Sequence, residues 1–176
     1  MRLPRSILRW FFLAAVVATT ARAHNPEESW TNCTLLPDGL KVEVTMAQQC
    51  ALMLLGKGPN LPYATEDNFK DYHDALKTRA PDLYVITSIR TPLKPRTVEV
   101  RLTEEMDIEF TLVYPRPAPG RLHFHASFLT KLGEGFGGMI YLTDPAGKDL
   151  GWDQISSDTP NFEVTILAAP PEKKAP

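Results

Sequence analysis

Apolar and polar residues alternate along much of the chain, in short runs separated by turn-forming residues. A period of two residues is typical of β-strands that bury one face. The clearest runs span residues 40–44, 83–86, 98–102, 108–112, 122–126, 139–142 and 162–166. These runs predict a mainly β protein, a β-sandwich of the immunoglobulin-like kind with one or two short helices packed at its edge.

Two turn motifs agree with the strands on either side of them. Pro37-Asp38-Gly39 separates residues 34–36 from residues 40–44 and predicts a hairpin. Asp144-Pro145-Ala146-Gly147 has Pro at its second position and Gly at its fourth, as a type I turn prefers. Both motifs indicate that the flanking runs are separate strands.

Two helices are expected to interrupt the strands. Thr45 and Gln48 have the spacing of a capping box at the start of an apolar stretch, which Gly56 would end. A second helix would be capped by Thr65 and ended by Pro81. Its apolar face is expected to consist of Phe69, Tyr72, Leu76 and Ala80. We expect this helix to pack over an edge of the sandwich.

The first 23 residues have the parts of a secretory signal peptide. Arg2, Arg5 and Arg9 precede an apolar run over residues 10–18, and Ala21-Arg22-Ala23 supplies small residues at a cleavage site. The run is shorter than the roughly 20 residues that a membrane-spanning helix needs. We therefore predict cleavage after Ala23 and a periplasmic or secreted protein. An uncleaved N-terminal anchor is the alternative.

Cleavage would leave one domain over residues 24–167, followed by a Pro- and Lys-rich tail at 168–176 that we expect to be disordered. Four of the 19 basic residues and none of the 21 acidic residues precede His24, so the mature chain carries 15 basic and 21 acidic side chains. This balance disfavours nucleic acid and anionic membranes as partners, because both require clustered Lys and Arg.

The two cysteines, Cys33 and Cys50, are the only pair available for a disulfide. In an oxidising compartment an even number of cysteines favours a bridge. Two small buried side chains without a bridge are the alternative. No Gly-rich phosphate loop and no Ser in a nucleophile elbow is found, which favours a non-enzymatic protein.

The histidines on the predicted strand 122–126 suggest the most specific chemistry. Parity places His123 and His125 on the face opposite the core, about 6–7 Å apart, as two imidazole ligands of one metal would require. If residues 115–120 close a hairpin with the strand at 107–114, Glu109 lies opposite His125 and Thr111 opposite His123. The alternative is an ordinary polar surface.

Cleavage after Ala23 would also give His24 a free α-amine. An N-terminal histidine chelates Cu(II) through that amine and its own Nδ1, and a further histidine completes a copper brace. The candidate metal ligands are therefore His24, His123 and His125, with copper or nickel as the metal and Glu109 as a neighbour. His73 is expected to flank the apolar face of the second helix.

The order of these features resembles a known family. The residues that carry the likeness are Ala23-His24, Ser29-Trp30, Asp38-Gly39-Leu40, residues 42–47, Asp107-Ile108-Glu109-Phe110, Tyr114-Pro115, Pro119-Gly120 and Leu142-Thr143-Asp144. They are similar to the extracytoplasmic N-terminal β-domain of HupE/UreJ-type membrane proteins, a group related to nickel permeases. The resemblance implies an exported domain that works beside a membrane partner. The family's multi-helix membrane region has no counterpart in this sequence, so no metal-transport residue is carried over.

Three functions follow from these observations. The first is an exported, non-enzymatic β-sandwich domain with a binding or accessory role beside a membrane assembly, without a cofactor. The second is a periplasmic copper- or nickel-binding protein that uses His24, His123 and His125. The third is a copper-dependent monooxygenase.

Overall fold

The chain folds as a β-sandwich, and a computed structural model describes residues 27–56 and 64–167. The leader predicted at 1–23, His24 and the tail predicted at 168–176 lie outside the described residues. None of the described helices has the length and apolar character that a membrane span requires.

Six strands form the larger sheet, in the order β5-β6-β2-β1-β8-β9. Their bounds are β1 Glu28–Leu35, β2 Gly39–Met46, β5 Thr97–Leu102, β6 Ile108–Pro115, β8 Gly137–Thr143 and β9 Asp149–Ser156. Neighbouring strands are antiparallel except for β1 and β8, which are parallel.

Four strands form the smaller sheet, in the order β10-β7-β3-β4. Their bounds are β3 Tyr84–Ser88, β4 Thr91–Pro92, β7 Gly120–Ala126 and β10 Asn161–Ile166. Within the described residues, three short α-helices and one 3-10 turn accompany the sheets: α1 Gln48–Met53, α2 Lys70–Arg79, the turn at Ala80–Asp82, and α3 Ser127–Leu132. Helix α2 packs against β5, the edge strand of the larger sheet, as the predicted architecture requires.

The core lies between the two sheets and follows the predicted alternation. In β6, for example, Ile108, Phe110, Leu112 and Tyr114 are buried, and the residues between them are partly exposed. Aromatic rings from the smaller sheet and from α3 fill much of this layer: Tyr84 packs edge-on against Phe124 and Phe128, with ring centroids 6.3 and 5.6 Å apart. Burial of these side chains is the main stabilising contribution.

Both predicted turns are present. Strands β1 and β2 form an antiparallel hairpin around Pro37-Asp38-Gly39, with Leu35 paired to Leu40. At the second turn the amide of Gly147 donates to the carbonyl of Asp144 over 3.0 Å, and the Asp144 carboxylate accepts from the amides of Ala146 and Lys148. The turn therefore closes as predicted, with the Asp144 side chain adding two hydrogen bonds.

The helix starts differ from the prediction. Thr45 belongs to β2, and α1 begins at Gln48 without a side-chain cap, because pairing with β6 continues through Met46. Gln48 is buried and forms two hydrogen bonds with the backbone of Ala64. The capping box at Thr45 is therefore wrong.

The second helix begins five residues after the predicted cap. Helix α2 starts at Lys70 with Phe69 at its N-cap position, and no side chain caps it. Thr65 instead accepts hydrogen bonds from the amides of Asn68 and Phe69 through its carbonyl, which forms a separate turn before the helix. Strands β4 and β9 and helix α3 were not predicted, because their residues do not alternate regularly or are too few.

The hairpin considered between residues 107–114 and 122–126 does not form, since β6 and β7 belong to different sheets. Residues 116–119 cross from one sheet to the other, so that β6 pairs with β2 and β5, and β7 pairs with β3 and β10. Glu109 consequently lies opposite Thr45 and Arg101, and Thr111 lies opposite Glu43 and Glu99. Neither residue is a cross-strand neighbour of His123 or His125, and the expected proximity of Glu109 is wrong.

Candidate functional site

Strand β7 places three basic side chains on the outer face of the smaller sheet. Its core side carries Leu122, Phe124 and Ala126, all fully buried, while Arg121 is exposed and His123 and His125 are partly exposed. The shared outward face of the two histidines is confirmed. Arg121 lies on the same face, because it is two residues before His123. The same alternation in the sequence could have predicted its position.

The cross-strand neighbours of the histidines come from β3 and β10. His125 lies between Val85 and Asn161, and its Nδ1 is 2.9 Å from the Asn161 side-chain oxygen. This hydrogen bond orients the imidazole ring and leaves Nε2 directed elsewhere.

His123 lies between Thr87 and Glu163. The Glu163 carboxylate forms an ion pair with Arg121, with Nε and Oε1 3.2 Å apart. Both partners of this pair are exposed, so it contributes little to stability. Arg121 and His123 lie on the same face of β7 and line the same cavity.

The turn between β3 and β4 borders this face and has an unusual backbone. Ile89 and Arg90 form a two-residue connection, and their φ angles are 45° and 68°. Positive φ at both central positions is the requirement of a type I′ turn, which prefers Asn-Gly. A β-branched residue in this region costs roughly 1–3 kcal/mol, and such strain is concentrated at functional sites.

A surface cavity of about 520 Å³ lies beside the strained turn. It is lined by Thr87, Ile89, Arg90, Arg121 and His123. We call it the Arg90 pocket. In the described part of the chain Arg90 has no ion-pair partner, so its guanidinium remains available to a ligand. The lining of the pocket is mostly apolar, and it is bordered by an imidazole, a hydroxyl, the Arg90 guanidinium and the Arg121 guanidinium, whose Nε is paired with Glu163. This arrangement suits a small molecule that combines an anionic group with an apolar part.

The predicted metal ligands are only partly brought together. His123 and His125 share one face, whereas His24 lies outside the described residues. Glu109 belongs to the other sheet, where both its oxygens bind Arg101 at 2.6 and 2.9 Å. Within residues 27–56 and 64–167, no group of three or more His, Cys, Asp and Glu side chains is placed to hold a metal ion.

The fourth histidine is separate from this face. His73 lies on α2, where its Nδ1 is 2.9 Å from Asp74 and its ring packs edge-on against Phe69. This position agrees with the predicted flank of the apolar helix face.

No bridge joins Cys33 and Cys50, both of which are buried, so the predicted disulfide is not present in the structure. Cys33 lies on the core side of β1 and Cys50 lies in α1, where each acts as a small apolar side chain. Burial raises the pKa of the Cys33 thiol well above its usual range, and that of Cys50 to about 11. A nucleophilic role requires a low thiol pKa, which neither residue has.

A second surface feature was missed by the sequence reasoning. Trp30, Tyr141 and Trp152 form a row of contacting rings on the outer face of the larger sheet. They lie on three different strands, so no local pattern connects them. The sequence shows each aromatic residue, but neither its exposure nor its neighbours on the other strands.

Comparisons with known proteins add no assignment to this site. No protein-family model matches the chain, and no curated protein matches it.

Proposed function

We propose that the chain is an exported, non-enzymatic binding domain, which recognises a small anion at the Arg90 pocket and works beside a membrane assembly. The observation that carries the binding role is the strained Ile89-Arg90 turn. The turn places the Arg90 guanidinium in the same pocket as Arg121 and His123. Among the described residues, Arg90 has no ion-pair partner. Strain of this kind persists only where the surrounding structure imposes it.

The ligand class follows from the groups that line the pocket. Guanidinium groups bind carboxylate and phosphate through paired N–H donors, and the Thr87 hydroxyl and His123 imidazole supply further polar contacts. Ile89 supplies an apolar wall. A small molecule with a carboxylate or phosphate group and a short apolar part matches these features.

The pocket is tested by calorimetric titration of citrate and of inorganic phosphate into the exported chain. We expect binding that weakens as salt increases, and at least tenfold weaker binding in Arg90→Ala and in Arg121→Ala. Arg79→Ala is the matched control, because Arg79 is an exposed arginine on α2 paired with Asp82. Equal affinities in all four proteins, or no binding by the wild type, would contradict the proposal.

Export and the membrane role are supported by the signal-peptide pattern and by the resemblance to HupE/UreJ-type N-terminal domains. Intact mass and N-terminal sequencing of the chain from the extracytoplasmic fraction test the first, with His24 as the expected first residue. Co-purification with one multi-span membrane protein from solubilised membranes tests the second. Recovery of the chain solely as an unbound protein would contradict the accessory role.

Copper or nickel binding is a second candidate, favoured by the orientation of His125. Metal-bound histidines commonly have their other ring nitrogen held by a hydrogen bond, as Asn161 holds Nδ1 of His125. His125 and His123 would supply two imidazole nitrogens, and His24 would add its imidazole and α-amine.

Cu(II) titration followed by electron paramagnetic resonance tests this candidate on the chain with its native N-terminus. Submicromolar binding that is lost in both His24→Ala and His125→Ala is expected, and His73→Ala serves as the control histidine. Unchanged affinity in the first two variants would exclude the brace. Cleavage shifted by one residue would also remove the α-amine chelate.

A further inference from the structure

The outer face of the larger sheet carries an aromatic strip that the proposed anion pocket does not use. The registers place Tyr141 directly beside Trp152 on β9, and Trp30 diagonally from Tyr141 on β1. Ring centroids are 6.1 Å apart for Trp30 and Tyr141, and 6.5 Å for Tyr141 and Trp152. The interplanar angles are 2° and 28°, so the three rings, which we call the aromatic strip, are close to parallel.

The strip is not required to close the core. The opposite sides of these strands supply the core with Thr31, Cys33, Ile140, Leu142 and Ile155, all of which are buried. Trp30 is 37% exposed and Trp152 is 59% exposed. Single exposed aromatic residues are ordinary, but three in contact on adjacent strands form an apolar patch that marks a binding surface.

Hydrogen-bonding side chains surround the strip. Asn32 lies beside Tyr141 in the same row across the strands, and Gln154 lies in the row of Trp30, separated from it by Met139. Thr45 is the direct cross-strand neighbour of Trp30. Amides and hydroxyls both donate and accept hydrogen bonds, so these groups suit a ligand with many hydroxyl groups.

The charges on this face disfavour an anionic ligand. Its two cations, Lys41 and Arg101, are already paired with Glu43 and Glu109 across distances of 2.9 and 2.6 Å. Glu99 adds a further carboxylate to the same face. A polyanion would therefore meet net negative charge, whereas a neutral polyhydroxylated ligand would find acceptors.

Trp30 also forms part of two surface depressions. One, of about 520 Å³, contains Trp30 with Thr45 and the carboxylates of Glu105 and Asp107. The other, of about 330 Å³, contains Trp30 with Gln154. An extended ligand on the strip could therefore continue past its Trp30 end.

From these observations we propose that the aromatic strip binds a neutral, unbranched oligosaccharide. Trp30 and Trp152, the two exposed rings of the strip, offer aromatic surface on which the C–H groups of a pyranose ring, which carry partial positive charge, can pack. The sugar hydroxyls then bond to the amide, hydroxyl and carboxylate groups around the strip.

The test measures binding of cellohexaose, chitohexaose and maltohexaose by the exported chain, using calorimetry and tryptophan fluorescence. Trp30 and Trp152 are two of the three tryptophans, and the third lies in the predicted leader, so fluorescence reports on the strip. We expect at least one of the oligosaccharides to bind and to change the emission. Trp152→Ala and Trp30→Ala should each weaken that binding at least tenfold, while Trp152→Phe should retain most of it.

Val85→Ala is the matched control, because Val85 is 49% exposed on the outer face of the other sheet. Its affinity for the oligosaccharide should equal that of the wild type. The proposal is overturned if the folded wild type binds none of the three sugars, or if Trp152→Ala binds as well as the wild type. A homodimer in sedimentation that Trp152→Ala abolishes would assign the strip to a second copy and also overturn it.

Discussion

The hydroxyls of Thr31 and Tyr84 lie 2.8 Å apart in the core and form a hydrogen bond between the two sheets. Thr31 belongs to β1 of the larger sheet and Tyr84 to β3 of the smaller one. Both side chains are buried, so each hydroxyl depends on the other in place of water.

Tyr84→Phe should destabilise the protein by about 1–3 kcal/mol, because it leaves the Thr31 hydroxyl buried without its partner. The double variant Thr31→Val/Tyr84→Phe should lose less than the sum of the two single variants, since it removes both polar groups. Urea unfolding at pH 7 measures these free energies. Strict additivity would show that the two hydroxyls do not interact in solution.

Tyr114→Phe should have the opposite effect, although both tyrosines are buried. The Tyr114 hydroxyl has no hydrogen-bond partner among the described residues, so its removal relieves a buried unsatisfied group. We expect the free energy of unfolding to stay equal or rise by about 1 kcal/mol. A loss larger than about 1 kcal/mol in the same urea assay would contradict this assignment.

Stability should fall in alkaline solution. Burial raises the pKa of Cys33, Tyr84 and Tyr114 well above the usual range and that of Cys50 to about 11. The unfolded chain loses these protons at ordinary values of about 8.5–10. The protonated thiols and hydroxyls therefore contribute fully to the free energy of unfolding below about pH 8. This contribution is lost as the pH rises from the pKa values of the unfolded chain through those of the folded chain, because deprotonation favours the unfolded chain.

Urea unfolding between pH 7.5 and 10.5 measures this dependence. The double variant Cys33→Ala/Cys50→Ala should show a shallower decline than the wild type, because it removes the two thiol contributions. An equal slope in both proteins would mean that the thiols do not contribute.

Ile89→Asn should stabilise the protein, because Asn tolerates positive φ far better than a β-branched residue. We expect a net gain of about 1 kcal/mol, as relief of strain exceeds the loss of an exposed apolar side chain. Val85→Asn is the control: Val85 is similarly exposed but lies within β3, where no strain is relieved. A destabilised Ile89→Asn variant would show that the turn is not strained in solution.

Ile89→Asn should also weaken anion binding, since it removes the apolar wall of the Arg90 pocket while retaining both arginines. Calorimetric titration with butyrate, a carboxylate with a short apolar chain, measures this change. If Ile89→Asn is more stable than the wild type but binds the ligand more weakly, the strained turn reduces stability and supports binding.

The strands could be predicted because alternation is a local property. Leu122, Phe124 and Ala126 had to share a face, and His123 and His125 had to share the other, whichever sheet contained them. The turns at residues 37–39 and 144–147 could likewise be predicted from neighbouring residues. Capping residues were less reliable, because strand pairing kept Thr45 in β2.

The pairing of strands was decided only by the tertiary structure. The segment after Pro115 could close a hairpin or cross between sheets, and the composition of such a connection does not distinguish the two. This choice moved Glu109 to Arg101 and gave His123 and His125 their neighbours Glu163 and Asn161.

In the strands whose residues alternate regularly, the sequence by itself thus determined which side chains point outward, since that depends on a period of two residues. Only the fold decided which outward residues meet. Trp30 and Tyr141 lie side by side because β1 pairs with β8 in parallel, and Arg90 borders His123 because β3 pairs with β7. Such contacts join distant parts of the chain, and their formation depends on how both sheets bury their apolar faces together.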